Sequence, residues 1–194
     1  MDTRAVVARS AAQGLFELAT DEHADLLVVG SSHRAGLGAV AAGSVGRALL
    51  QGAPRAVAVT PRGYRDGDTD RLRVIGVGYD GMPESEAALD GGAPGGAAKR
   101  RGPGLARAER SRSDAGATAG CGRALPRELR ALPVVLTGDP VRALIDEAAK
   151  GVDLLVVGSR GFGPLMRVML GSVADQLMRS APCPVLVFPR GGAS

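Results

Sequence analysis

The sequence predicts an α/β protein built on an open parallel sheet, and three observations carry that prediction. Short continuous apolar runs ending in glycine recur along the chain, LLVVG at Leu26–Gly30 and again at Leu154–Gly158. Such runs suit strands buried on both faces, as a parallel sheet covered by helices requires. The runs belong to an internal repeat, in which residues 24–63 lie ungapped over 152–191 with twenty of forty positions identical. Aromatic residues are scarce, with three Phe, two Tyr and no Trp. The core must then come from Val, Leu, Ile, Met and Ala.

Each copy of the repeat reads as strand, glycine-rich loop, helix, strand, which implies a right-handed crossover. Gly43-Ser44 and Gly171-Ser172 open the two helices, and Val173, Leu177 and Met178 recur at helical spacing. Ala-Pro closes each helix, since proline disfavours helical geometry in the residue before it. Val57–Val59 and Val185–Phe188 supply the closing strands. Upstream of the second copy, Pro133–Thr137 reads as a strand, followed by a helix opening at Asp139-Pro140. Proline fits a first helical turn, where its missing N–H costs nothing. Ala5–Ala8 and Leu15–Ala19 are the weaker counterparts before the first copy. Leu72–Gly78, then Tyr79-Asp80-Gly81 and a helix over about 83–89, front the second copy alone.

The predicted organisation is therefore an incomplete half domain over 1–60, a linker over 61–70 and a near-complete domain over 71–190. One stretch resists this reading. Residues 91–131 contain nine Gly and ten Ala, with only Leu105, Leu125 and Leu129 as large apolar residues and no Val or Ile. No central strand can be read there, and the composition favours disorder, with a short helix expected over about 123–132. A sharper hypothesis is a translation in a shifted frame, since the pattern resumes cleanly at Pro133.

The formal charge of +4 is local in origin. Nine basic and three acidic residues lie between Lys99 and Arg130, so the rest of the chain is slightly acidic. That distribution argues against a nucleic-acid surface on the folded domains. Two cysteines, Cys121 and Cys183, form no disulfide framework and no metal-ligand spacing, which points to a reducing cytoplasm. No apolar run approaches the roughly 20 residues of a membrane span, and no secretory leader is evident at the start.

The chemistry resides in the glycines of the second copy, spaced Gly158-x2-Gly161-x9-Gly171-Ser172. Ligands of open α/β sheets sit outside the carboxyl ends of the strands. Glycine lets the backbone approach a phosphate, and the free N–H groups at a helix start face the anion. The bland alternative is that the glycines only shape a tight loop, and spacing alone leaves both open.

The run VDLLVVGSRGFGPLMRVMLGSVADQLMRSAPCPVLVFP, with VIGVGYDGMPESEAAL, resembles the universal stress protein family over about 72–90 and 133–190, with a partial match over 5–60. The resemblance implies a Rossmann-like fold of the adenine nucleotide alpha hydrolase type and a regulatory protein that binds ATP, with or without magnesium. Asp80 would stand near adenine and ribose. Gly158, Ser159, Arg160 and Gly161 would form the loop around ribose and phosphates, and Gly171, Ser172 and Val173 the phosphate-facing helix start. The family's adenine-side residue from the second strand has no counterpart in 91–131. Relatives pair through their final strand, which implies Val185–Phe188 here, against a second copy or against Val57–Val59 of the same chain. In the first copy His33 stands where Gly161 stands in the second, so that half is expected not to bind nucleotide.

Other activities lack their residues. No GxxxxGK[ST] is present, GVGYDG at 76–81 lacks the dinucleotide-binding continuation, and no histidine follows His33 to complete a hydrolase triad. No catalytic residue is assigned. The rival role is a pairing module of the same fold without a ligand.

Overall fold

The computed structural model describes residues 3–32, 36–38, 40–52, 55–64, 72–80, 85, 88, 104–110, 129–159 and 170–189. Four helices are named: α1 (Ala11–Asp21), α2 (Ser44–Gly52), α3 (Pro140–Ala148) and α4 (Ser172–Ser180). The strands are β1 (Leu26–Gly30), β2 (Ala56–Thr60), β3 (Val74–Tyr79), β4 (Gly104–Arg110), β5 (Leu129–Val135), β6 (Leu154–Gly158) and β7 (Val185–Phe188). They form one seven-stranded sheet in the order β1-β2-β7-β6-β3-β4-β5.

The repeat appears as two parallel units, β1–β2 and β6–β7, each bridged by its helix. The units meet where β2 and β7 pair antiparallel. β3 lies parallel to β6 on the far side. The local signals act as the residue types dictate. Ser10 caps α1 by accepting from Gln13 N–H at 3.2 Å, and Asp139 caps α3 by accepting from Arg142 N–H at 2.9 Å. Ala181, the residue before Pro182, leaves α4 in extended geometry.

Both sheet faces are covered where the apolar runs are continuous. Leu155 and Val157 of β6, Val185 and Val187 of β7, and Val57 and Val59 of β2 pack beneath the helices with Leu49, Leu144, Leu177 and Met178. Gly78 allows α3 to settle there, since a Cβ on it would lie 3.1 Å from Val157 Cγ1 and 3.6 Å from Leu144 Cδ1. On the opposite face Val77, Val156, Leu186, Ala56 and Ala58 gather with Ala88. Ser85 and Ala88 are helical, and the remainder of the helix expected over 83–89 lies outside the described residues.

Three expectations are corrected. Residues 104–110 form β4, an interior strand, although no Val or Ile is present. It runs antiparallel to both β3 and β5, which suits a segment without an apolar helical face to build a parallel crossover. The helix expected over 123–132 gives way to strand from Leu129 onward, because Leu129–Leu132 pairs with β4. Ala5–Ala8 forms no strand and is exposed. A strand needs a neighbour, and β5 reaches β6 only through β3 and β4, whose equivalents are not found beside β1 among the described residues.

The start of β3 is fixed by one carboxylate. Asp153, just before β6, accepts hydrogen bonds from Arg73 N–H at 2.7 Å and Val74 N–H at 2.8 Å. Its repeat equivalent, Asp25, is exposed. Asp153→Ala is expected to cost about 1–3 kcal/mol, whereas Asp25→Ala stays within about 0.5 kcal/mol, as urea unfolding would measure.

Cys183 is buried, and loss of hydration pushes its thiol up from 9.0 to about 11 against the opposing effect of a backbone hydrogen bond with Leu155; the charge of Asp153 adds to the rise. Between those values the unfolded chain releases the proton while the folded chain keeps it. The thiol's contribution is thus complete below pH 9.0 and is lost as pH climbs toward about 11. Stability is expected to fall over that window more steeply in the wild type than in Cys183→Ala, by urea midpoints at stepped pH.

Candidate functional site

Because β3, β6 and β7 run parallel, their carboxyl ends share one edge of the sheet. The register Val77↔Val156 carries Tyr79 alongside Gly158 two steps further on. Asp80 and Ser159, the residues that follow, therefore leave neighbouring strands together. Asp80 is half-buried, and its N–H donates to the hydroxyl of buried Ser85 at 3.3 Å. Ser159 N–H donates to Phe188 O at 2.8 Å, which ties the turn after β6 to the end of β7.

Ser159 is fully buried, and its hydroxyl has no hydrogen-bond partner among the described residues. Leaving such a group unsatisfied costs roughly 1–3 kcal/mol. Gly171, the residue that caps α4, is extended and provides no side-chain bond to the first turn. The N–H groups at this helix start are thus not covered by their own cap. Ser172 is exposed and Val173 half-buried at the same helix start. Of the expected site residues, Asp80, Gly158, Ser159, Gly171, Ser172 and Val173 are described, and they occupy one sheet edge and the helix that follows. Arg160 and Gly161 lie outside the described residues, as does His33. No cluster of His, Cys, Asp and Glu suited to a metal occurs among the described residues.

The first copy makes an internal comparison. Since β2 runs antiparallel to β7, its loop emerges at the opposite edge. Ser31, equivalent to Ser159, donates its hydroxyl to Thr60 O at 2.7 Å and accepts from Ala41 N–H at 2.9 Å. The flanking amides are also taken: Val40 N–H donates to Ala181 O at 3.0 Å and Ala42 N–H to Met178 O at 2.9 Å. The first-copy loop has thus closed on itself and on the end of α4, so these amides are not available to an anion. The sequence pointed to His33 as the difference. It did not reveal the closure by Ser31 or the support of Asp80 by Ser85, since both serines lack a distinguishing motif.

An open α/β sheet that aims a glycine-started helix at its carboxyl edge defines a protein class whose ligands sit in the edge crevice. The family model of the universal stress protein family matches residues 2–61 and 97–189, and the chain belongs to that family. A universal stress protein of Mycobacterium tuberculosis is 31% identical over 206 residues, covering 93% of this chain and 70% of the relative. One from Thermus aquaticus is 40% identical over 110 residues, covering 56% and 66%. The crystal structure of a universal stress protein from Archaeoglobus fulgidus superposes with a TM-score of 0.59 at 18% identity, over 93% of this chain and 67% of that one; it bears on the fold alone. Family membership supports a role in the stress response. No described helix is long and apolar enough to cross a membrane.

The contrast between the two serines is measurable. Ser31→Ala is expected to destabilise by about 1–2 kcal/mol by leaving the Ala41 amide unpaired, while Ser159→Ala is neutral or stabilising without ligand. Chemical denaturation of both variants checks the difference.

Proposed function

We propose that the chain is a regulatory protein of the stress response that binds an adenine nucleotide, ATP in the first instance, at the carboxyl edge formed by β3, β6 and α4. The observation that carries this reading is the buried Ser159 hydroxyl with no partner among the described residues, twelve positions before a helix start without a side-chain cap. An anionic ligand oxygen answers both. It accepts from the hydroxyl and from main-chain N–H groups, in a place where the helix dipole favours negative charge.

The roles follow from position. Gly158 lets the chain turn out of β6 without a side chain in the crevice. Ser159 supplies a donor, with Arg160 and Gly161 continuing the same loop. Gly171, Ser172 and Val173 present the amides of α4, with the Ser172 hydroxyl as a further donor. Asp80, leaving the neighbouring strand, takes the ribose and adenine end in this reading. ATP would bring its own negative charge, with magnesium as a companion ion held by phosphate oxygens rather than by a protein cage. The reading is binding without turnover, in a cytoplasmic protein.

The first half serves this function as a partner surface. Its closed loop, bonded to the end of α4, steadies the helix whose opposite end faces the ligand. The alternative is a pairing module that binds nothing, favoured by the extent of that junction.

Isothermal titration with ATP separates the two. Saturable binding is expected, with a stabilisation of about 2.7 kcal/mol at ligand 100-fold above Kd, and phosphate release stays at background. Gly171→Val abolishes the heat of binding. Ser159→Ala weakens it without loss of unliganded stability. Absence of binding to the folded wild-type chain leaves the pairing module.

A further inference from the structure

The junction between the halves obeys a pseudo-two-fold axis. Each first-half residue corresponds to the residue 128 positions later, as the superposition of 24–63 on 152–191 requires. In the β2–β7 ladder Val57 pairs with Val187, Ala58 with Leu186 and Val59 with Val185. Ala58 and Leu186 are themselves equivalent, so the axis runs between them. A residue that meets its own equivalent lies on such an axis, and a true homodimer would place two identical side chains there.

Two axial positions have diverged in complementary senses. In the sheet, small Ala58 faces larger Leu186, and both are buried in one cluster. Above it, Arg47 of α2 and Asp175 of α4, again equivalent positions, approach to 4.0 Å. Arg47 sits in the first turn of α2, where a cation opposes the helix dipole. Its favourable partner is therefore across the axis. Asp175 also pairs with Arg179 on its own helix.

We propose that this interface is differentiated for unlike halves: the first half selects the second half and rejects a second copy of itself, with Arg47–Asp175 and Ala58–Leu186 specifying the match. Two second halves would set Asp175 against Asp175 and Leu186 against Leu186. Two first halves would set Arg47 against Arg47 and leave Ala58 opposite Ala58, with a void between them. Both like-with-like assemblies incur repulsion together with poor packing. The inference does not depend on nucleotide binding.

A charge-reversal cycle in the full chain tests it. Arg47→Asp is expected to shift Tm upward by about 1–2 °C more in the Asp175→Arg background than in the wild type, the helix-dipole change being common to both. The Asp175–Arg179 contribution cancels in that comparison, and the difference shrinks in 1 M NaCl. An equal shift in both backgrounds overturns the charge assignment. Partner choice is read separately, with Cys121 and Cys183 replaced by Ser. Under oxidation Ala58→Cys alone and Leu186→Cys alone stay single-chain, whereas the two together form a bridge. A two-chain product from either single variant overturns the proposal.

Discussion

Between β2 and β7 three residue pairs join two parallel units, antiparallel to each other, into one sheet. Each unit alone would end in an apolar strand with unpaired main-chain groups, a surface that proteins seldom leave open. The antiparallel pairing buries both edges at once. It brings Leu49 and Leu50 of α2 into the same core as Leu177 and Met178 of α4. It also lets the first-half loop satisfy the carbonyls of Met178 and Ala181, which the end of α4 leaves without helical partners. The candidate site depends on this junction, because α4 carries the amides proposed for the ligand at its other end.

The duplicated units show how one local design can be retained or abandoned. Both keep the strand, the Gly-Ser helix start and the serine after the strand. In the first copy Ser31 fastens the loop to Thr60 and Ala41, and the neighbouring amides are used in docking. In the second copy the same serine is buried without a partner among the described residues. Stability has been gained on one side of the junction, and an unsatisfied polar group kept on the other. Buried polar groups without partners are uncommon in native proteins and call for a reason; a ligand is the reason proposed here.

Beyond β3 the sheet departs from a wholly parallel arrangement. β4 and β5 pair antiparallel, which requires no crossover helix. β1 closes the opposite end with Leu26 and Val28 partly exposed, at 40% and 60%, whereas their equivalents in β6 are flanked by β3. The same LLVVG is thus buried on both faces in one copy and on one face in the other. Burial is set by neighbours, and identical residues fare differently according to what lies beside them.

Much of this was legible from residues 24–63 and 152–191. Continuous apolar runs, glycine at the strand ends and proline after the helices act within a few residues of themselves, so they fix local structure wherever they occur. The residues proposed for the site, after β6 and at the start of α4, rest on the same kind of local signal. The strand at 104–110 was not, since it owes its existence to ladder bonds with β3 and β5 rather than to its own side chains. Nor was the meeting of Arg47 with Asp175 or the closure of Ser31 on Ala41. Each joins groups whose approach is decided by how the two units dock. Sequence determined the strands, the helices and the class of fold, because short-range sterics and periodicity suffice for those. Which polar groups ended up paired, and which was left waiting, only the assembled sheet could decide.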